Sequence, residues 1–247
     1  MNELELKLLA ILRIIAMFVS FLIINAILFV VCLLRPMHRN NVHICGKFYS
    51  SMSRILGLKI VVKGMENVPD EPCVFIANHQ NSYDLMTICK AVAPGTVSVG
   101  KKSLVLIPVF GWLYWLSGNV LIDRKNASRA ADTLSSTIAK IKKRGISVWF
   151  FPEGTRSYGR GLLPFKTGAF RIANAVDMPI VRVCASNLID KIKLNRWDNG
   201  TLIIHVSEPM KMDDSKGIKE WSVLFREKML EDFEQVNSEV AQLPKAR

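Results

Sequence analysis

The chain has 247 residues, half of them hydrophobic and 22% charged, which suits one ordinary domain with an appendage and excludes a disordered or fibrous protein. Lysine and arginine outnumber aspartate and glutamate by 33 to 21, and the resulting +12 calls for anionic partners, either nucleic acid or lipid phosphate. No arginine-rich arm, zinc-finger spacing or aromatic ribonucleoprotein signature supports nucleic acid, and five cysteines without a C-x-x-C pair argue against a disulfide framework or structural zinc and for a reducing compartment.

From Ile14 to Leu34 no residue is charged. As a helix this run is roughly 30 Å long, enough to cross the hydrocarbon core. It exceeds the apolar region of a signal peptide and no small-residue cleavage site follows, so it is expected to be retained. Lys7 and Arg13 precede it and Arg35, Arg39 and Lys47 follow, which leaves its orientation open. The stretch from His38 to Leu56 then repeats apolar residues at helical spacing, among them Val42, Cys45, Tyr49, Met52 and Ile55. This second helix either lies in the membrane interface or packs on the domain surface; with the first it is expected to form a membrane anchor over residues 1–56 that crosses the bilayer or dips into one leaflet. A mean hydropathy of +0.22 agrees with a membrane element.

Beyond Gly57 the texture becomes α/β. Short strands are expected at Lys59–Lys63, Cys73–Ala77, Thr96–Val99, Val120–Ile122, Ile146–Phe151, Ile180–Ala185 and Thr201–Val206. Between them lie a helical run from Ser103 to Leu116, broken near Pro108 and Gly111, a helix from Ala127 to Ile141 ended by Gly145, and a short helix over Phe170–Ala175. An amphipathic helix from Ile218 to Val240 closes the chain, its stripe made by Trp221, Phe225, Met229, Phe233, Val236 and Val240. Alternation of this kind predicts, for residues 57–247, a mostly parallel twisted sheet flanked by helices.

Chemistry-bearing residues gather at the expected strand ends, where open α/β sheets bind ligands. Asn78-His79-Gln80-Asn81-Ser82-Tyr83-Asp84 sets an imidazole and a carboxylate five residues apart. On a helix they would be turned by about 500° and so sit roughly 140° apart, which means they can meet only across a turn. A carboxylate holding one ring nitrogen leaves the other free as a general base. Phe151-Pro152-Glu153-Gly154-Thr155-Arg156-Ser157 supplies a strand stop, a tight turn and an arginine fork suited to phosphate. Lys166, in Pro164-Phe165-Lys166-Thr167-Gly168, and the pair Lys101 and Lys102 are further anion-binding candidates, although a lysine pair by itself is ordinarily a solvated one.

Taken together these segments resemble the glycerolipid acyltransferases, and within that family the bacterial enzymes that acylate lysophosphatidic acid. Asn78, His79 and Asp84 match the family's N-H-x-x-x-x-D motif; Gly118-Asn119-Val120-Leu121-Ile122-Asp123-Arg124 looks like its second motif, and Phe151 to Ser157 is a complete F-P-E-G-T-R-S. Phe165, Lys166 and Gly168 keep the downstream F-K-x-G. The fourth motif departs from the pattern: Pro179 is present, but Arg182 stands where a second proline is usual, which would alter local contacts and with them acyl-donor preference.

The resemblance implies transfer of a fatty acyl group from acyl-CoA or acyl-acyl carrier protein to the sn-2 hydroxyl of lysophosphatidic acid, with no metal and no cofactor beyond that co-substrate. His79 would be the general base and Asp84 its orienting partner. Arg156 would bind the acceptor phosphate, with Lys101, Lys102 or Arg124 as further cations, while Glu153, Gly154 and Thr155 line the glycerol pocket and the Glu153 carboxylate accepts from a hydroxyl. The implied partners are membrane lipid, the acyl donor and an anionic membrane surface, at the cytoplasmic face of a bacterial inner membrane. Three alternatives stay open: another acceptor, such as a different lysolipid or glycerol 3-phosphate; a hydrolase in which His79 activates water; and a catalytically silent membrane-binding protein.

Overall fold

The computed structural model describes residues 2–122 and 130–244; Asp123, Arg124 and Ala127 lie outside the described residues. The strands β1 (Lys59–Lys63), β2 (Val74–Ala77), β3 (Thr96–Lys101), β4 (Val120–Ile122), β5 (Ser147–Phe150), β6 (Ile180–Ala185) and β7 (Thr201–Val206) form one sheet in the order β1-β7-β6-β2-β5-β3-β4. Every adjacent pair is parallel except β6 with β7. The carboxyl ends of β2, β5 and β3 therefore share one edge.

The central strands are almost wholly apolar, Ser147 of β5 and Arg182 of β6 being the exceptions, because both of their faces are covered. Phe75 of β2 lies between Trp149 of β5 and Val181 of β6, and alternation sends Val74 and Ile76 to the opposite face. That opposite face packs against Ile141 of α4 (Ala130–Arg144), Phe170 of α5 (Gly168–Val176), and Phe225 and Met229 of α6 (Ile218–Ala241). Phe75, Trp149 and Val181 instead pack with Leu56, Ile88 and Ala91. Burial pushes the Cys73 thiol up to about 12 and that of Cys184 well above its ordinary value, as expected of cysteines that fill a core.

Arg182 of β6 shares the α6 side of the sheet with Ile180 and Cys184. Its Nε and Nη2 donate to the two carboxylate oxygens of the buried Asp232 at 2.7 and 3.3 Å. The residue that replaces the family's second proline thus serves sheet-to-helix packing.

α1 (Glu3–Leu34) begins well before the uncharged run, because Asn2 and Glu5 form reciprocal caps: Glu5 N donates to Asn2 Oδ1 at 2.8 Å and Asn2 N to Glu5 Oε2 at 3.0 Å. At about 1.5 Å per residue the helix is roughly 48 Å long. Among the described residues it is the one helix long and apolar enough to cross a membrane. α2 (Asn41–Ser51) is shorter than expected and half covered, so the anticipated pair of anchoring helices reduces to one long apolar helix and a packed neighbour.

One side of α1 is bound to the domain along most of its length. Arg13 is buried and donates to the carbonyls of Leu194 at 3.2 Å and Trp197 at 2.7 Å, and also to those of Lys193 and Arg196. Asn25 accepts from Tyr49 Oη of α2 at 3.0 Å, and Leu28 and Cys32 are fully buried against Tyr49, Met52 and Leu113. The other sides expose Leu8, Ile15, Phe18, Ile23 and Val30.

The expected helix over Ser103–Leu116 is two pieces, a 3-10 turn at Lys102–Leu106 and α3 (Phe110–Leu116). Pro108 interrupts hydrogen bonding between them. Gly111 follows at a point where a Cβ would strike the Val105 carbonyl.

Candidate active site

β2 ends at Ala77 because the next side chain turns back onto the sheet. Asn78 Oδ1 accepts from Ala185 N and its Nδ2 donates to Ala185 O, both at 2.9 Å. Two residues on, Gln80 repeats the device: Nε2 donates to Ser186 O at 2.9 Å and Oε1 accepts from Leu188 N at 2.8 Å. Both are buried. His79, between them, is sent to the opposite side.

Asn81 then accepts from Tyr83 N at 2.8 Å and starts a 3-10 turn over Ser82–Met86 that carries Asp84 back. The Asp84 Oδ2 atom lies 2.6 Å from His79 Nδ1 and accepts from Gln80 N at 2.7 Å and Asn81 N at 3.2 Å. An ionised carboxylate can only accept, so Nδ1 carries the hydrogen and Nε2 of the neutral ring keeps its lone pair. The ring also stacks on Phe151, with centroids 4.0 Å apart and planes within 18°. Turn, carboxylate and aromatic face together fix one orientation of a potential base.

The segment after β5 is laced to this turn. Ser157 N donates to His79 O at 2.8 Å and Tyr158 N to Gln80 O at 2.9 Å. In the other direction His79 N donates to Glu153 Oε1 at 2.7 Å, while Glu153 Oε2 accepts from Leu163 N at 3.0 Å. Glu153 is only 3% exposed, and burial raises its carboxyl above the ordinary carboxylate range, partly offset by the two amides. It lines a small cavity of about 140 Å³ with Asn78, Gln80, Ser157 and Asn187, away from the His79 ring. The carboxylate, expected to accept from an acceptor hydroxyl, accepts here from the His79 and Leu163 amides, and Glu153 is not among the residues that line the larger cleft.

The His79 ring faces a second, larger cleft of about 750 Å³. Asp84, Gly154, Thr155, Arg156 and Lys101 also line it, and its apolar wall includes Phe21 of α1, Tyr49 of α2, Ile88, Ile107 and Leu113. This size and polarity fit a ligand with a long apolar part and one compact polar end. Arg156 is half-buried, with Nη1 3.1 Å from Tyr158 Oη. Its backbone is braced by Arg160, whose Nη2 donates to Arg156 O at 2.9 Å and whose Nε donates to Ser157 O at 2.8 Å.

Gly154 takes φ +72°, which favours glycine, and the flexible Lys166 chain, its Cε 2.9 Å from where a Cβ would be, passes over it. Lys102 and Lys166 are exposed and stand outside the cleft lining. Sequence reasoning missed the roles of Asn78, Gln80 and Phe151. The alternation of side chains about His79 was the available signal for the first two.

Residues 59–186 match the family model described as Acyltransferase. The chain is similar to the 1-acyl-sn-glycerol-3-phosphate acyltransferase of Salmonella typhimurium, 43% identical over 216 residues that cover 85% of this chain and 87% of that protein. It is similar also to the proteins of the same name from Escherichia coli, 42% identical over 85% of this chain and 87% of that protein, and from Saccharomyces cerevisiae, 35% identical over 76% of this chain and 64% of that protein. Among solved structures, the crystal structure of the 1-acyl-sn-glycerophosphate (LPA) acyltransferase PlsC from Thermotoga maritima matches with a TM-score of 0.73 and 25% identity, all of both chains being covered.

Proposed function

The chain belongs to the acyltransferase family, and from that premise we propose that it moves a fatty acyl group from acyl-CoA or acyl-acyl carrier protein to the sn-2 hydroxyl of lysophosphatidic acid, giving phosphatidic acid. The observation that carries this reading is the 2.6 Å contact between His79 Nδ1 and Asp84 Oδ2 in a cleft that also holds Arg156 and a long apolar wall. His79 Nε2 takes the acceptor hydroxyl proton as that oxygen attacks the thioester carbonyl. The tetrahedral intermediate expels the thiolate, which receives the proton from the imidazolium. Asp84 stabilises that cation and keeps the ring in place. Thioester and alcohol become ester and thiol, a balance that needs no third reactant and no acyl-enzyme.

Arg156 binds the acceptor phosphate with Lys101 as a second cation, and the apolar wall receives acyl chain. The curated bacterial relatives and the exposed sides of α1 support a place at a membrane, proposed as the cytoplasmic face of the inner membrane. Arg13 and Leu28 tie one side of α1 to the domain, which supports a helix lying in one leaflet rather than standing free across the bilayer.

Two variants and an acceptor panel test the reading. His79→Ala should lower turnover at least roughly a thousandfold, with the circular dichroism spectrum and vesicle binding unchanged; substantial remaining turnover removes His79 as the base. Arg156→Ala should raise KM for lysophosphatidic acid roughly ten- to a hundredfold, and an unchanged KM removes the phosphate assignment. Offering one labelled acyl thioester to lysophosphatidic acid, another lysophospholipid and glycerol 3-phosphate ranks the acceptors, and free fatty acid released without any acceptor would mark a hydrolase.

A further inference from the structure

A surface next to α1 carries the same physical signature as the exposed sides of that helix. Leu106 is 81% exposed, Trp112 66% and Trp115 49%, all within the short segment Lys102–Leu116. Three large apolar side chains left in water so close together are costly for a soluble surface and ordinary for one that meets another phase. Tryptophan in particular is enriched where lipid headgroups meet acyl chains.

We infer that the segment Lys102–Leu116 is a second membrane contact beside α1, seating Leu106, Trp112 and Trp115 in the interface of a leaflet that carries anionic headgroups. The inference rests on the proposed placement of α1 at a membrane. It is carried by continuity and by charge. The inward residues Leu113 and Leu116 share a core with Leu28 and Cys32 of α1, and Met37 N, just beyond α1, donates to Leu116 O at 2.9 Å. The outward sides of α1 and of this segment are thereby joined through one packed unit. Lys102, exposed and outside the cleft lining, stands at its start and supplies a cation for anionic headgroups.

The segment's inner side matters as much as its outer one. Leu104, Ile107, Phe110 and Leu113 line the large cleft. The same short stretch is therefore the partition between cleft and lipid, and an acyl chain moving between the two passes beside it without entering bulk water.

The test uses the full chain with a nitrobenzoxadiazole label at Leu106→Cys and, as the distant control, at Glu227→Cys on the exposed side of α6. Wild type taken through the same labelling sets the background. On phosphatidylcholine vesicles containing phosphatidylglycerol, the label at 106 should shift to the blue and be quenched by nitroxide-bearing lipids, while the label at 227 does neither. A protein that sediments with vesicles yet leaves 106 unquenched overturns this inference alone. Failure to sediment with vesicles at all overturns it together with the proposed placement of α1. As an independent arm, the double variant Leu106→Asp, Trp112→Asp should bind these vesicles roughly tenfold or more weakly, yet turn over a short-chain acceptor dissolved as monomers at the wild-type rate. Unchanged vesicle affinity would also overturn the inference.

Discussion

Glu153 touches the proposed base through the backbone of His79, its two oxygens receiving the amides of His79 and Leu163. Glu153→Gln keeps size and shape but offers an NH2 where one amide needs an acceptor, leaving a buried donor unpaired at a cost of about 1–3 kcal/mol. The expected outcome is a kcat roughly ten- to a hundredfold lower with KM for both substrates within about twofold. Steady-state kinetics decide it, because a substrate ligand would show itself in KM. His79 and Asp84 were legible in the sequence since their spacing forbids a shared helical face and so demands a turn. Glu153 was not, because nothing in Pro-Glu-Gly-Thr-Arg says which side of its turn a carboxylate takes. That is decided by the Leu163 amide, ten residues away, and by burial.

At the scale of elements, the strands could be read because a strand covered on both faces must be apolar throughout, and Val74–Ala77 and Ser147–Phe150 are close to that limit. The reversal of β7 against β6 could not, since strand direction is set by pairing across the sheet. The partner of Arg182 was hidden for a similar reason: Asp232 lies fifty residues on, in a helix whose apolar stripe drew notice to its other residues. Asp232→Ala would leave a mostly buried guanidinium without its carboxylate, an expected loss of about 3–5 kcal/mol. Replacing both partners, as Arg182→Met with Asp232→Leu, should cost clearly less, because no charge is then left without a partner. Urea unfolding of the two variants in the same detergent measures the difference; equal losses would mean that the pair contributes through packing alone.

Taken whole, the molecule treats α1 as part of its core. Cutting residues 2–36 removes Leu28 and Cys32, which are fully buried, and bares Tyr49, Met52 and Leu113. The shortened chain should therefore aggregate, eluting in the void volume on size exclusion; a monodisperse, soluble protein would show that the sheet closes without α1. Arg13 adds a consequence in time. It binds Trp197 across 184 positions of sequence. At a synthesis rate of about 5–20 residues per second, roughly 10–40 s separate the emergence of the helix from that of its last partner. Through that interval the buried Arg13 end of the helix lacks its carbonyl partners, while Leu28 and Cys32 can already meet Tyr49 and Met52. If the helix is seated at a membrane as proposed, a lipid surface is where it waits, and the domain is then completed onto a helix already in position.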